Sequence, residues 1–78
     1  MTKTLSDITN GSKVTVSEIS QSKLRVKLME MGVIKGRILT VLYRAPFGDP
    51  MAIDIDGYVL SLRKDEACLV DVELMTEL

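Results

Sequence analysis

A chain of 78 residues makes one domain near the lower end of what folds alone, burying about 60–65% of the surface of its unfolded chain, with no room for a deep substrate pocket. No Trp, one Phe and two Tyr leave Leu, Ile, Val and Met to build the core. A net charge of −1 and the absence of His argue against a polyanion-seeking basic protein, and remove both the commonest general base and the commonest transition-metal ligand.

Cys68 stands alone, so no intramolecular disulfide can form, and a reducing cytosol is the expected compartment. No apolar run approaches the roughly 20 residues that a spanning helix needs. The N-terminus is too polar and too soon acidic for a signal peptide. The expectation is a soluble cytoplasmic module.

Charge is laid unevenly along the chain. Residues 1–22 balance to 0, residues 23–44 carry +5 and residues 45–78 carry −6. The plain reading is a solvated face; the sharper one is a field that orients the protein on a charged partner or membrane surface.

In chain order, Leu5 and Ile8 bracket an opening turn at Ser6-Asp7, and Asn10-Gly11-Ser12 forms a loop. Val14, Val16 and Ile19 stand among Lys13, Thr15, Ser17 and Glu18, and the alternation of the first part predicts a half-buried strand. A helix follows over about residues 22–31: Ser22 can cap it, and Leu24, Leu28 and Met31 form one apolar stripe. Lys23, Arg25, Lys27 and Glu30 take its wet side. Gly32 ends the helix by adopting positive φ, and Val33 folds back onto Leu28, the contact that accompanies this cap.

Ile34-Lys35-Gly36 turns the chain into a second strand, Ile38 to Tyr43, too uniformly apolar to leave a face in water. Ala45-Pro46-Phe47-Gly48-Asp49-Pro50 is a rigid loop, its prolines fixing φ and Gly48-Asp49 supplying the bend. Asp56-Gly57 predicts a two-residue hairpin turn, since both positions tolerate positive φ. Counting outward pairs Ile55 with Tyr58, Ile53 with Leu60 and Met51 with Leu62, all on the inner face. Asp54 opposite Val59 and Ala52 opposite Ser61 share the other face, and a one-residue slip would bury Asp54.

Arg63 to Cys68 is a charged link containing at most a single helical turn. Leu69, Val70, Val72 and Leu74 form a last strand, and residues 75–78 fray. The fold expected is mainly β: a small SH3-like five-stranded barrel with one inserted α-helix, a single domain over residues 1–78. A five-stranded oligonucleotide-binding barrel is the alternative, and such barrels usually run longer.

The chemical inventory is mostly negative. Asp54-Ile55-Asp56-Gly57 mimics the start of a calcium loop. With Gly57 at its sixth position, however, Ala52 and Arg63 fall where the first carboxylate and the final glutamate belong. Asp65 and Glu66 are adjacent rather than set across a cleft. Cys68 has no His or Asn partner to activate it and reads as a buried structural thiol. The glycines fall in turns, none in a phosphate-cradling run. The basic helix lacks the stacking aromatics of a nucleic-acid surface, and Tyr58, on the inner face, is unavailable to a proline-rich-peptide groove. No enzyme, no resident cofactor and no metal site is expected.

A binding surface remains. Val33 serves to cap the core, whereas Met29 and Ile34, ringed by Arg25, Lys27, Lys35 and Arg37, form an apolar patch with a basic rim. With Phe47, these residues make the expected partner-binding set.

The chain also resembles a family, ferrous iron transport protein A (FeoA). Its pattern ends a helix in L-x-x-[LM]-G, with proline-glycine two residues later; Leu28 to Gly32 and Gly36 match, while Lys35 stands where proline is usual. Ala45 to Pro50 matches A-P-x-G-D-P at every fixed position, and Leu60-Ser61-Leu62-Arg63 matches L-x-L-R. The resemblance covers roughly residues 5–74. It implies an SH3-like cytosolic accessory protein of bacterial ferrous iron uptake, binding the cytosolic part of the FeoB membrane permease and tuning transport or GTP turnover. The alternative is a small iron-binding or iron-sensing protein, similar to the C-terminal domain of iron-dependent repressors, which would use Asp49, Asp54, Asp56 and Cys68; a weak association with ferrous iron would be its one cofactor contact. No helix-turn-helix segment is present to make it a free-standing repressor.

Overall fold

The computed structural model describes residues 3–75. Its elements run β1 (Lys3–Thr4), a 3-10 turn (Leu5–Asp7), β2 (Lys13–Ile19), α1 (Arg25–Glu30), β3 (Ile38–Arg44), β4 (Met51–Ile55), β5 (Tyr58–Leu62), α2 (Lys64–Ala67) and β6 (Val70–Leu74). All strand pairs are antiparallel, in the order β1-β6-β2-β3-β4-β5. Register shifts at Val16/Glu18 in β2 and Val41/Tyr43 in β3 sharpen the local twist, which bends the sheet around one aliphatic core. Leu5, Val14, Leu28, Leu39, Ile53 and Leu62 are fully buried in that core.

Among the described residues the sheet has six strands, where five were expected. The additional strand, β1, is two residues long and pairs Lys3 with Val72 and Thr4 with Asp71; a polar dipeptide carries no alternation from which to read it. The helix is shorter than expected. Ser22 accepts the Leu24 amide at 3.2 Å, and a turn through residues 22–24 leads into the six-residue α1. Its end matches expectation: the Gly32 amide donates to the Met29 carbonyl and the Val33 amide to the Leu28 carbonyl, each at 3.0 Å, with Gly32 at φ +98°. Val33 and Leu28 are both fully buried.

The hairpin register is the one counted from Asp56-Gly57, residue for residue. Both turn residues have positive φ, 51° and 86°, the type I′ geometry. The inner face is shorter than its alternation implied, because the strands outrun the core: Leu62 is buried, Leu60 half-buried and Tyr58 exposed. In β3, Leu39 and Val41 are buried while Ile38, Thr40 and Leu42, on the opposite face, are exposed or half-buried, so a strand expected to be too apolar to leave a face in water does turn one outward; Tyr43, past the register shift, is exposed as well. Ile34 to Arg37 forms a β-turn closed by the Arg37 amide on the Ile34 carbonyl at 3.1 Å, with Gly36 at φ +88° in its third position. That is the type II arrangement, with Lys35 at the position proline favours.

Candidate functional site

The basic residues expected to rim a binding patch are partly spoken for. Lys27 Nζ lies 2.9 Å from Glu66 Oε2, and Arg37 Nη1 donates to Asp56 Oδ2 at 2.6 Å. Arg25 stands 3.9 Å from Glu18. Lys35 is exposed and has no ion-pair partner among the described residues. Ile34 is half-buried, tucked under its turn, so it offers less apolar surface than the sequence suggests. Met29 is exposed, and beside it on the same flank of α1 is Val26, also exposed. Val26 went unread; its i, i+3 spacing from Met29, away from the Leu24-Leu28-Met31 stripe, was the available signal.

Phe47 is 100% exposed at the tip of the β3–β4 loop. Its loop is held at several points. The Gly48 amide donates to the Ala45 carbonyl at 2.7 Å, the Ala45 amide to the Pro50 carbonyl at 3.0 Å, and the Lys64 amide at the start of α2 to Asp49 Oδ1 at 2.9 Å. The Asp49-Pro50 peptide bond is cis.

Beneath Phe47 lies a cleft of about 260 Å³ lined by Ser6, Arg44, Gly48, Asp49, Met51 and Lys64. Arg44 is fixed there by neutral acceptors: Nη1 donates to Asn10 Oδ1 at 2.6 Å, and Nη2 to the carbonyls of Ile8 at 2.6 Å and Ser6 at 3.2 Å. No carboxylate neutralises it among the described residues. An exposed aromatic on a backbone-braced loop, above a cleft that holds Arg44, Lys64 and the Asp49 carboxylate, is a recognition feature able to take an apolar group with charged neighbours. A second, more open cleft of about 410 Å³ runs between the end of α1 and β5, past Met31, Ile55, Tyr58 and Leu60.

Among the described residues Glu66 is the buried acid, 6% exposed. Its Oε1 accepts the Arg63 amide at 2.9 Å, capping α2. The Lys27 ammonium first, and the Arg63 amide after it, hold the carboxyl below its ordinary value near 4.5 against the opposing effect of burial.

Asp49, Asp54, Asp56 and Cys68 are not gathered into a site: among the described residues, no group of three or more His, Cys, Asp or Glu side chains is placed to hold a metal ion. Cys68 is exposed, not buried as expected, because the turn after α2 points its side chain outward; its Sγ donates to the Asp65 carbonyl at 3.3 Å. No helix among the described residues is long and apolar enough to cross a membrane.

A profile described as the FeoA domain matches residues 3–74. A Porphyromonas gingivalis protein described as an Fe(2+) transport protein A/Fe(2+) transporter FeoB fusion is 32% identical over 73 residues, which span 92% of this chain and 9% of the fusion. An FeoA-like protein from Clostridium acetobutylicum superposes with a TM-score of 0.91 at 42% identity, covering 97% of this chain and 90% of that one. A zinc-complexed FeoA from Stenotrophomonas maltophilia, described as a procaryotic SH3 domain protein, superposes with a TM-score of 0.80 at 24% identity, covering 91% and 89% of the two chains, and supports the SH3-like fold. With nearly its whole length matched, the chain is a member of the FeoA family.

Proposed function

We propose that this chain is a non-catalytic, cytosolic accessory protein of bacterial ferrous iron uptake, docking on the cytosolic part of an FeoB-type permease and modulating its transport or GTP turnover. The observation that carries the reading is the relative that joins both parts in one polypeptide. Fusion replaces a bimolecular encounter by an intramolecular one at high effective concentration.

Two features are suited to that contact. Phe47 gives an exposed apolar anchor on a braced loop, with Arg44, Lys64 and Asp49 at its base, and Val26 with Met29 gives an adaptable apolar flank. The test is a titration of the isotopically labelled chain with the cytosolic region of FeoB, with and without a GTP analogue, followed by NMR shift mapping. Saturable shifts on the Phe47 loop or the Val26–Met29 flank are the expected result. Absence of binding in either nucleotide state, repeated with detergent-solubilised full-length FeoB, refutes the proposal.

A further inference from the structure

The two edges of the sheet are treated differently. At one, β6 is covered by the two-residue β1, which begins with Lys3 and turns at once into a 3-10 helix; short, charged edges of this kind discourage further pairing. At the other lies β5, Tyr58-Val59-Leu60-Ser61-Leu62, which among the described residues is paired with β4 alone. It has no charge, proline, glycine or register shift. Tyr58 and Val59 are 74% and 58% exposed.

The direction of its main-chain groups follows from the hairpin. Ile55 and Tyr58 close a two-residue turn, so they form a hydrogen-bonded pair, and pairs then alternate outward. Tyr58, Leu60 and Leu62 therefore bond to β4, while the N–H and C=O groups of Val59 and Ser61 point away from it.

We propose that this edge is a self-association surface, on which a second copy of the chain adds its own β5 antiparallel about a two-fold axis at Leu60. In that register Val59 of each copy faces Ser61 of the other, and the outward groups exchange hydrogen bonds on both sides of the axis. Leu60 meets Leu60 of the second copy. The Asp56-Gly57 turn of each copy comes beside Arg63-Lys64 of the other, which sets each Asp56, already paired with its own Arg37 through Oδ2 at 2.6 Å, next to a second cation.

The neighbouring registers fit less well. Centring on Ser61 would need the Arg63 amide, which is already bound to Glu66 Oε1 at 2.9 Å. Centring on Val59 sets Asp56 against Leu62 and loses the charge match. The occupant is a second copy because strand and flanking charges are self-complementary in one register only.

Sedimentation equilibrium over a concentration series tests this in the full chain. Wild type is expected to show a reversible monomer–dimer equilibrium, weakened about tenfold or more by Val59→Lys, which places a charge on the edge while leaving the pairing with β4 intact. Circular dichroism checks that this variant stays folded. In a Cys68→Ser background, Leu60→Cys is expected to give a disulfide-linked dimer on mild oxidation, since directly opposed non-hydrogen-bonded residues lie about 4.5 Å apart between Cα atoms, within disulfide range. A chain that stays monomeric throughout, or a dimer unaffected by Val59→Lys and not cross-linked through Leu60→Cys, overturns the proposal.

Discussion

Replacing Arg44 by methionine is expected to destabilise the domain by about 2 kcal/mol, because one side chain at the end of β3 anchors the whole Leu5–Asn10 segment. Its guanidinium makes three hydrogen bonds, to the Ser6 and Ile8 carbonyls and to Asn10 Oδ1, across 34 to 38 residues of sequence. Hydrogen bonds with one charged partner contribute about 1.5–3 kcal/mol each. Here the Asn10 contact is exposed and the two carbonyls are part-buried. Water can therefore replace much of what is lost, which brings the sum down to the figure given.

Methionine keeps the length and most of the packing of the stem, so the charge and the fork are what is tested. Arg44→Lys should fall between, at about 1 kcal/mol, since an ammonium cannot reach three acceptors in that planar arrangement. Urea unfolding followed by far-ultraviolet circular dichroism measures both, and an unchanged m-value shows that the two-state comparison holds. A domain of this size loses about 4–8 °C of Tm per kcal/mol, so Arg44→Met should melt about 8–16 °C lower. A loss below about 0.5 kcal/mol would show that the segment is held by Leu5 and Ile8 packing alone, and the reasoning would be wrong.

Lys35→Pro should stabilise the chain by about 0.4–1 kcal/mol, since the type II turn already holds the conformation that proline prefers; equilibrium unfolding checks the sign. The Glu66 carboxyl sits below its ordinary value near 4.5, so the stability it contributes is present above that pH and lost as pH falls through its folded value. The stability difference between wild type and Glu66→Gln should therefore narrow below pH 4.5, and a difference that stays constant into acid refutes the assignment. Phe47→Ala should leave unfolding stability unchanged within about 0.5 kcal/mol, while weakening FeoB binding by about tenfold in a calorimetric titration.

Much of the fold was legible because local chemistry decides it. Asp56-Gly57 determines a hairpin and thereby five cross-strand pairs, all observed; Gly32 and Val33 determine a helix end through bonds within six residues of sequence. Alternation, however, tells which face a residue takes and not how far the core extends along it. That is why Tyr58 lies in water, whereas Ile38 lies there because it takes the opposite face from Leu39 and Val41.

Pairings across the fold were not legible. Nothing in the order of residues places Lys27 against Glu66 or Arg37 against Asp56, so the basic block looked freer than it is. The cation beneath Phe47 was counted in the same block. Its fixed position depends on an arginine at a strand end meeting carbonyls from the opening turn, a contact with no periodic signature.

The pairing of Lys3 with Val72 brings the first and last strands side by side. A polypeptide therefore enters and leaves the domain on adjacent strands. Such a unit can hang from a larger protein as a side branch, threaded between two neighbouring points without stretching either. It also suits circular permutation: joining the first and last strands through a short glycine-serine bridge and reopening the chain at the β3–β4 loop should preserve the sheet while cutting the one loop that carries Phe47.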